Sequence, residues 1–166
     1  MNAIIENLLT RRSTRAFLQK EIPDNELNEI LQAAIYAPSG MGKQTWKFTV
    51  LCNQEKIQQL AELIGQKLGR KGYDMYRPQV LIIPSNQKEN PHGMEDNACA
   101  LENIFLAAHS FGIGSVWINQ LRTLCDDPEV RALLDEFEIP SDHVVNGMAD
   151  APKKEIHKIG EIRIIK

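Results

Sequence analysis

Apolar residues along this 166-residue chain switch repeatedly between a helical and a strand period, and the switching limits the folds open to it. Ile4, Ile5, Leu8 and Leu9 recur at helical spacing behind Asn2, whose side chain can cap a first turn. Leu27, Ile30, Leu31, Ala34 and Ile35 repeat the pattern after Asp24, read as the cap, and Pro38 stops the helix. Trp46, Phe48, Val50 and Cys52 then alternate with Lys47, Thr49 and Leu51, as a half-buried strand does. Ile57, Leu60, Ala61, Ile64 and Leu68 mark a third helix, and residues 69–76 are glycine-rich and basic. Residues 80–83 read as a short buried strand and residues 85–93 as a polar loop. A long helix is expected over about residues 95–111, with Ala98, Leu101, Phe105 and Ala108 turned inward and Gly112 as a left-handed cap. Residues 115–118 read as a strand, Pro128 opens a helix carrying Val130, Leu133, Leu134 and Phe137, and residues 143–149 read as a fourth strand. No composition break divides the chain. The expectation is one α+β domain over residues 1–166, a sheet covered by helices.

Charge and cysteine usage remove several function classes. A net charge of −3 argues against a general nucleic-acid surface, which needs a basic excess. The three cysteines form no CxxC pair and no Cys/His cluster, so neither a zinc site nor a redox dithiol is signalled. His92, His109, His143 and His157 show no ligand spacing, and no metal is expected. Residues 1–17 hold no apolar leader, and no apolar run nears the ~20 residues that span a bilayer. A cytoplasmic protein without membrane partners is the reading.

Against that acidic background stands Thr10-Arg11-Arg12-Ser13-Thr14-Arg15-Ala16-Phe17. Guanidiniums, hydroxyls and free backbone N–H groups suit an anion such as phosphate. The bland alternative is a solvated helix end, with arginines meeting the C-terminal dipole of the first helix. Two look-alikes fail. Residues 37–45 resemble a P-loop, but Ala37 and Gln44 replace the required glycine and hydroxyl, and a helix precedes the loop where a strand should. Gly112-Ile113-Gly114-Ser115 lacks the third glycine of a dinucleotide fingerprint and runs from helix into strand. It is a helix cap and tight turn, or else a place of close backbone approach to a flat ligand.

Taken in order, Arg11-Arg12-Ser13-x-Arg15-x-Phe17, Ala37-Pro38-Ser39, Gln44-x-Trp46, Ala107-Ala108 and Gly112-Ile113-Gly114-Ser115-x-Trp117-Ile118, with the basic tail, resemble the FMN-dependent nitroreductase family in its short-chain form. The resemblance spans nearly the whole chain. It implies a mostly antiparallel central sheet, an intertwined homodimer, and one FMN per subunit. It also implies ping-pong hydride transfer from NADH or NADPH to a small electron-poor acceptor such as a nitroaromatic or quinone. Carried over, Arg11, Arg12 and Ser13 would bind the FMN phosphate and ribityl chain, and Arg15 the pyrimidine edge. Pro38, Ser39 and Gln44 would come from the partner subunit, and backbone groups near Ile118, Asn119 and Gln120 would face flavin N5 and O4. Lys158, with His157 or Lys154 as rivals, would complete the phosphate clamp. The family commonly has Asn at the position of Gly42 and Pro at that of Thr45. The Gly42 departure favours a rival reading, a flavin-binding or redox-responsive protein without catalysis; flavin destruction or reductive dehalogenation on the same scaffold is another.

Overall fold

Three strands form one sheet: β1 (Trp46–Leu51), β2 (Leu81–Gln87) and β3 (His143–Val145), in the order β1-β2-β3. Both pairings are antiparallel, with Trp46 opposite Asn86, Leu51 opposite Leu81 and Ser85 opposite Val145. The computed structural model describes residues 2–145 and residue 163. The expected continuation of the last strand through 146–149 lies outside them.

Six helices accompany the sheet among the described residues: α1 (Ala3–Thr10), α2 (Asp24–Ile35), α3 (Gln54–Lys67), α4 (Gly93–Ser110), α5 (Leu121–Leu124) and α6 (Pro128–Glu136). Local chemistry sets their ends. Asn2 Oδ1 accepts from the Ile4 N–H at 2.8 Å, and Asn53 Oδ1 from the Lys56 N–H at 3.0 Å. Gly112 (φ 73°) closes α4: its N–H bonds to His109 O, and the Ile113 N–H reaches Ala108 O at 2.9 Å, the paired bonds of a Schellman motif. Asp24 is the first residue of α2 rather than its cap. Pro23 takes that place without a side-chain bond, and Asp24 and Glu26 meet the helix dipole instead.

Core residues lie on both sheet faces. Trp46, Phe48 and Ile82 pack towards α2 and α4, whose Ile30, Ala34, Ala100, Leu101, Ile104 and Phe105 are buried. Leu51 and Ile83 belong to the other cluster, with Leu60 and Ile64 of α3 and Val130 and Leu134 of α6. Burial on both faces is why β2 runs on through Ser85, Asn86 and Gln87, where polarity alone predicts loop. Ser85 and Asn86 are fully buried and hydrogen-bonded: Ser85 Oγ lies 2.9 Å from His143 Nδ1, and Asn86 Oδ1 accepts from the Gln87 N–H at 3.0 Å. Residues 115–118 do not join the sheet. They make one parallel bridge, Ser13 with Ser115.

Candidate functional site

The basic run leaves the end of α1 and spreads its three guanidiniums in different directions. Arg12 Nη1 donates to Leu9 O and Arg11 O, both at 2.7 Å, so this side chain caps the carbonyls of α1. Arg11 turns towards α4, with Nε 3.9 Å from Glu102 Oε1 and the guanidinium 5.8 Å from the Phe105 ring centroid. Arg15 is exposed and has no hydrogen bond or ion pair among the described residues.

The bridge then joins this run to a segment a hundred residues away. The Thr14 N–H donates to Ser115 O at 2.9 Å. Contact is close because residue 114 is glycine: a Cβ there would lie 2.9 Å from Cβ, Cγ2 and Oγ1 of Thr14. The absent side chains at 112 and 114 therefore serve a helix cap and the Thr14 contact. Beyond the bridge, Trp117 stacks obliquely on Phe105, with centroids 6.0 Å apart. Trp117 Nε1, Asn119 Oδ1 and Gln120 Oε1 are buried with no hydrogen-bond partner among the described residues. Such orphaned atoms cost about 1–3 kcal/mol each unless something meets them. Beside the bridge opens a cavity of about 630 Å³, lined largely by apolar side chains such as Phe17, Ile22, Leu27 and Val80.

Arg11, Arg12, Ser13 and Arg15 are thus tied, through the bond from Thr14 to Ser115, to the segment that leads into Ile118, Asn119 and Gln120. Pro38, Ser39 and Gln44 are not. They lie on the loop between α2 and β1, which contains a one-turn 3-10 helix, Gly40–Gly42. Among the described residues, no hydrogen bond or ion pair joins this loop to the arginine run of its own chain. Lys158, Lys154 and His157 lie outside the described residues. Sequence reasoning missed Trp117 Nε1 and Asp96, which is buried and accepts hydrogen bonds from the Gly40 N–H (2.7 Å) and the Ser39 hydroxyl (3.0 Å). The visible signal was a crowd of short polar residues, Asn86, Asn90, Asp96 and Asn97, at a strand-to-helix junction.

Perturbed titrations lie away from this site. Lys67 bridges Asp127 and Glu129 at 3.0 Å each; those hydrogen bonds raise the Lys67 pKa and the Lys67 bond lowers that of Asp127, which also caps α6. Burial lowers the pKa of His143. No group of His, Cys, Asp and Glu among the described residues could hold a metal, and no helix there is long and apolar enough to cross a membrane.

Residues 8–149 match the family model described as the Nitroreductase family. A solved structure of a nitroreductase with bound FMN from Bacteroides fragilis NCTC 9343 is 39% identical, with a TM-score of 0.86 over 100% of both chains. A protein of Archaeoglobus fulgidus, provisionally assigned as an NADH dehydrogenase/NAD(P)H nitroreductase, is 32% identical over 149 residues, 87% of this chain and 82% of that one. The NADPH-flavin oxidoreductase of Vibrio harveyi is 30% identical over 74% of this chain, which spans only 55% of that relative's length.

Proposed function

This chain belongs to the nitroreductase family, and from that premise we propose that it is an FMN-dependent oxidoreductase. It uses NADH or NADPH to reduce a small electron-poor acceptor, a nitroaromatic or quinone, and works as a homodimer whose flavin sites are shared between subunits. The observation that carries this reading is the bridge between Thr14 and Ser115. It ties the run that carries the unpaired Arg15 to the segment that carries three orphaned buried atoms, Trp117 Nε1, Asn119 Oδ1 and Gln120 Oε1. The pyrimidine end of a flavin carries one N–H donor and carbonyl acceptors. The N–H complements one of the two orphaned oxygens, and the carbonyls complement the indole N–H and the guanidinium, so these residue types suit the group.

Each residue then has a part. Arg11 exchanges its contact with Glu102 for a phosphate. The exchange is cheap, because a 3.9 Å pair of partly exposed groups is worth at most about 1 kcal/mol. Arg12 keeps its cap on α1 with Nη1 and offers its remaining N–H groups to the same phosphate. Ser13 adds a hydroxyl, and Lys158 is the proposed further cation. Arg15 holds positive charge at the pyrimidine edge, which favours the electron-rich reduced state. When bound, FMN supplies the redox chemistry, taking hydride from the nicotinamide and giving it to the acceptor, so the chain needs no nucleophile or general acid of its own.

The dimer is supported by α1, which buries none of its residues and leaves Ile4 70% exposed beside exposed Ile5, Leu8 and Leu9. Tyr36, just before the Pro38–Gln44 loop, and Met41, within it, are exposed too. Exposed apolar side chains in such number on one short helix suit a partner surface. A loop remote from its own arginine run can then serve the run of a second copy.

The test is direct. Protein reconstituted with FMN should lose its visible flavin absorption on mixing with NADH or NADPH and regain it on adding a nitroaromatic or quinone. Failure to take up FMN refutes the reading; FMN uptake without bleaching refutes the catalytic half of it.

A further inference from the structure

Behind the loop 39–45 sits a buried polar network that the proposed chemistry does not use. Asp96, the fourth residue of α4, is 3% exposed, and its two oxygens take three donors. These are the Gly40 N–H at 2.7 Å, the Ser39 hydroxyl at 3.0 Å and the Asn90 amide at 3.4 Å. The Ser39 hydroxyl in turn accepts from the Gln44 N–H at 2.9 Å. At the other end of the loop, the Thr45 hydroxyl donates to Asn86 Oδ1 at 2.6 Å and accepts from Asn90 Nδ2 at 2.9 Å. Asn86 Nδ2 reaches Gly93 O and Asn97 Oδ1, both at 3.3 Å. One side-chain group therefore ties down both ends of the loop.

The loop needs such ties. Met41, Gly42 and Gln44 adopt φ of 57°, 64° and 50°, a left-handed geometry that costs a non-glycine residue on the order of 1 kcal/mol or more. No residue from 39 to 44 is buried, and Met41 is 83% exposed, so apolar packing does not repay that cost. Gly40 is pressed so close to His92 that a Cβ would lie 2.5 Å from its ring. The loop's own bonds, Gly42 N–H to Ser39 O at 2.9 Å and Lys43 N–H to Gly40 O at 3.3 Å, shape its turn, and the hydrogen bonds to Asp96 and from Thr45 fix that turn to the rest of the subunit.

We propose that Asp96 and Thr45 are positioning residues that act in trans: each presets the loop that its own subunit lends to the flavin site of the other. The inference rests on the reading above, in which Pro38, Ser39 and Gln44 wall the partner's flavin. It assigns the Ser39 proton to Asp96 within its own subunit, so Ser39 meets the flavin with an oxygen lone pair or its backbone, not as a donor.

The experiment is an FMN titration, read by quenching of flavin fluorescence, on wild type, Asp96→Asn, Thr45→Val and Arg11→Ala dimers and on the doubly tagged Asp96→Asn/Arg11→Ala heterodimer. Asp96→Asn keeps the shape but turns an amide against one of three donors. The FMN Kd should rise about tenfold or more, the equivalent of one unmet buried donor. Thr45→Val, which removes the anchor at the other end, should weaken FMN in the same sense and carries the test if Asp96→Asn does not fold. The heterodimer should recover wild-type affinity at one of its two sites. There the intact Arg11 of the Asp96→Asn subunit meets the intact loop of the Arg11→Ala subunit. A residue that merely stabilised its own subunit would give no such recovery. Wild-type Kd in both positioning variants, or a heterodimer without a tight site, overturns the inference alone. A wild-type dimer that ignores FMN overturns the flavin reading beneath it.

Discussion

Replacing Gly114 by alanine puts one methyl carbon 2.9 Å from three atoms of Thr14, and those atoms cannot move aside. Cβ, Cγ2 and Oγ1 branch at the backbone, so rotation about χ1 only exchanges one for another. The two segments must separate by about 0.5 Å to reach ordinary contact, which stretches the 2.9 Å bond from the Thr14 N–H to Ser115 O towards its limit. Overpacking costs about 1–3 kcal/mol and a weakened hydrogen bond about 1 kcal/mol, so roughly 2 kcal/mol is the working figure. For a chain of this size that lowers Tm by roughly 4–8 °C. The same displacement moves Arg11 to Arg15 relative to Ile118, Asn119 and Gln120. FMN affinity should therefore fall about tenfold, because a clamp loses strength when its jaws shift. Thermal unfolding of the apoprotein and an FMN titration give the two readings. Gly69→Ala is the control: its φ of 65° strains any side chain, but nothing lies within 4 Å, so Tm should fall while Kd holds. A Gly114→Ala protein with wild-type FMN affinity would refute the idea that the bridge aligns the site.

Arg11→Ala should weaken FMN at least about tenfold, the loss of a charge-assisted contact, yet shift the apoprotein Tm by no more than about 2 °C, since its contact with Glu102 is long and partly solvated. Leu8→Asp on the exposed face of α1 should turn the dimer into monomer in sedimentation runs and empty the flavin sites together; a tight dimer would exclude this face from the interface. Burial lowers the pKa of His143, so below its ordinary value of 6.5 the unfolded chain takes up a proton that the folded chain refuses. That contribution to stability is complete above about pH 6.5 and declines as pH falls, and unfolding at about pH 7 and about pH 5.5 should show a slope that His143→Gln reduces.

What could be read from sequence followed from length and repetition. The 18-residue α4 announces itself by its inward stripe and glycine stop; the stop is in place, and Leu101, Phe105 and Ala108 are buried while Ala98 is half-buried. The four residues of α5 are too few to show a period. Residues 115–118 have the composition of a strand, but their one ladder partner is Ser13, a contact that no local pattern encodes. Ser85 to Gln87 read as loop because their polarity is visible and their mutual satisfaction is not. For the site, the arginine run stood out in the sequence, and the bland reading holds for Arg12, which caps α1. The run's tie at Ser115 to the segment that leads into Ile118, Asn119 and Gln120 was legible only through family resemblance, because spacing a hundred residues long carries no signal. Asp96 hid among the acidic residues that any helix gathers in its first turn. Thr45 holds the end of the loop by two hydrogen bonds to the side chains of Asn86 and Asn90, distant in the chain, which its own surroundings in sequence do not announce.

The central claim is that one chain supplies the cationic half of a flavin site and lends a loop to another. The most direct test is to count FMN bound per chain by flavin absorption while sedimentation reports the oligomer. The account predicts one FMN per subunit in a dimer, and Leu8→Asp monomers that bind none tightly. A monomer carrying tightly bound FMN would contradict it.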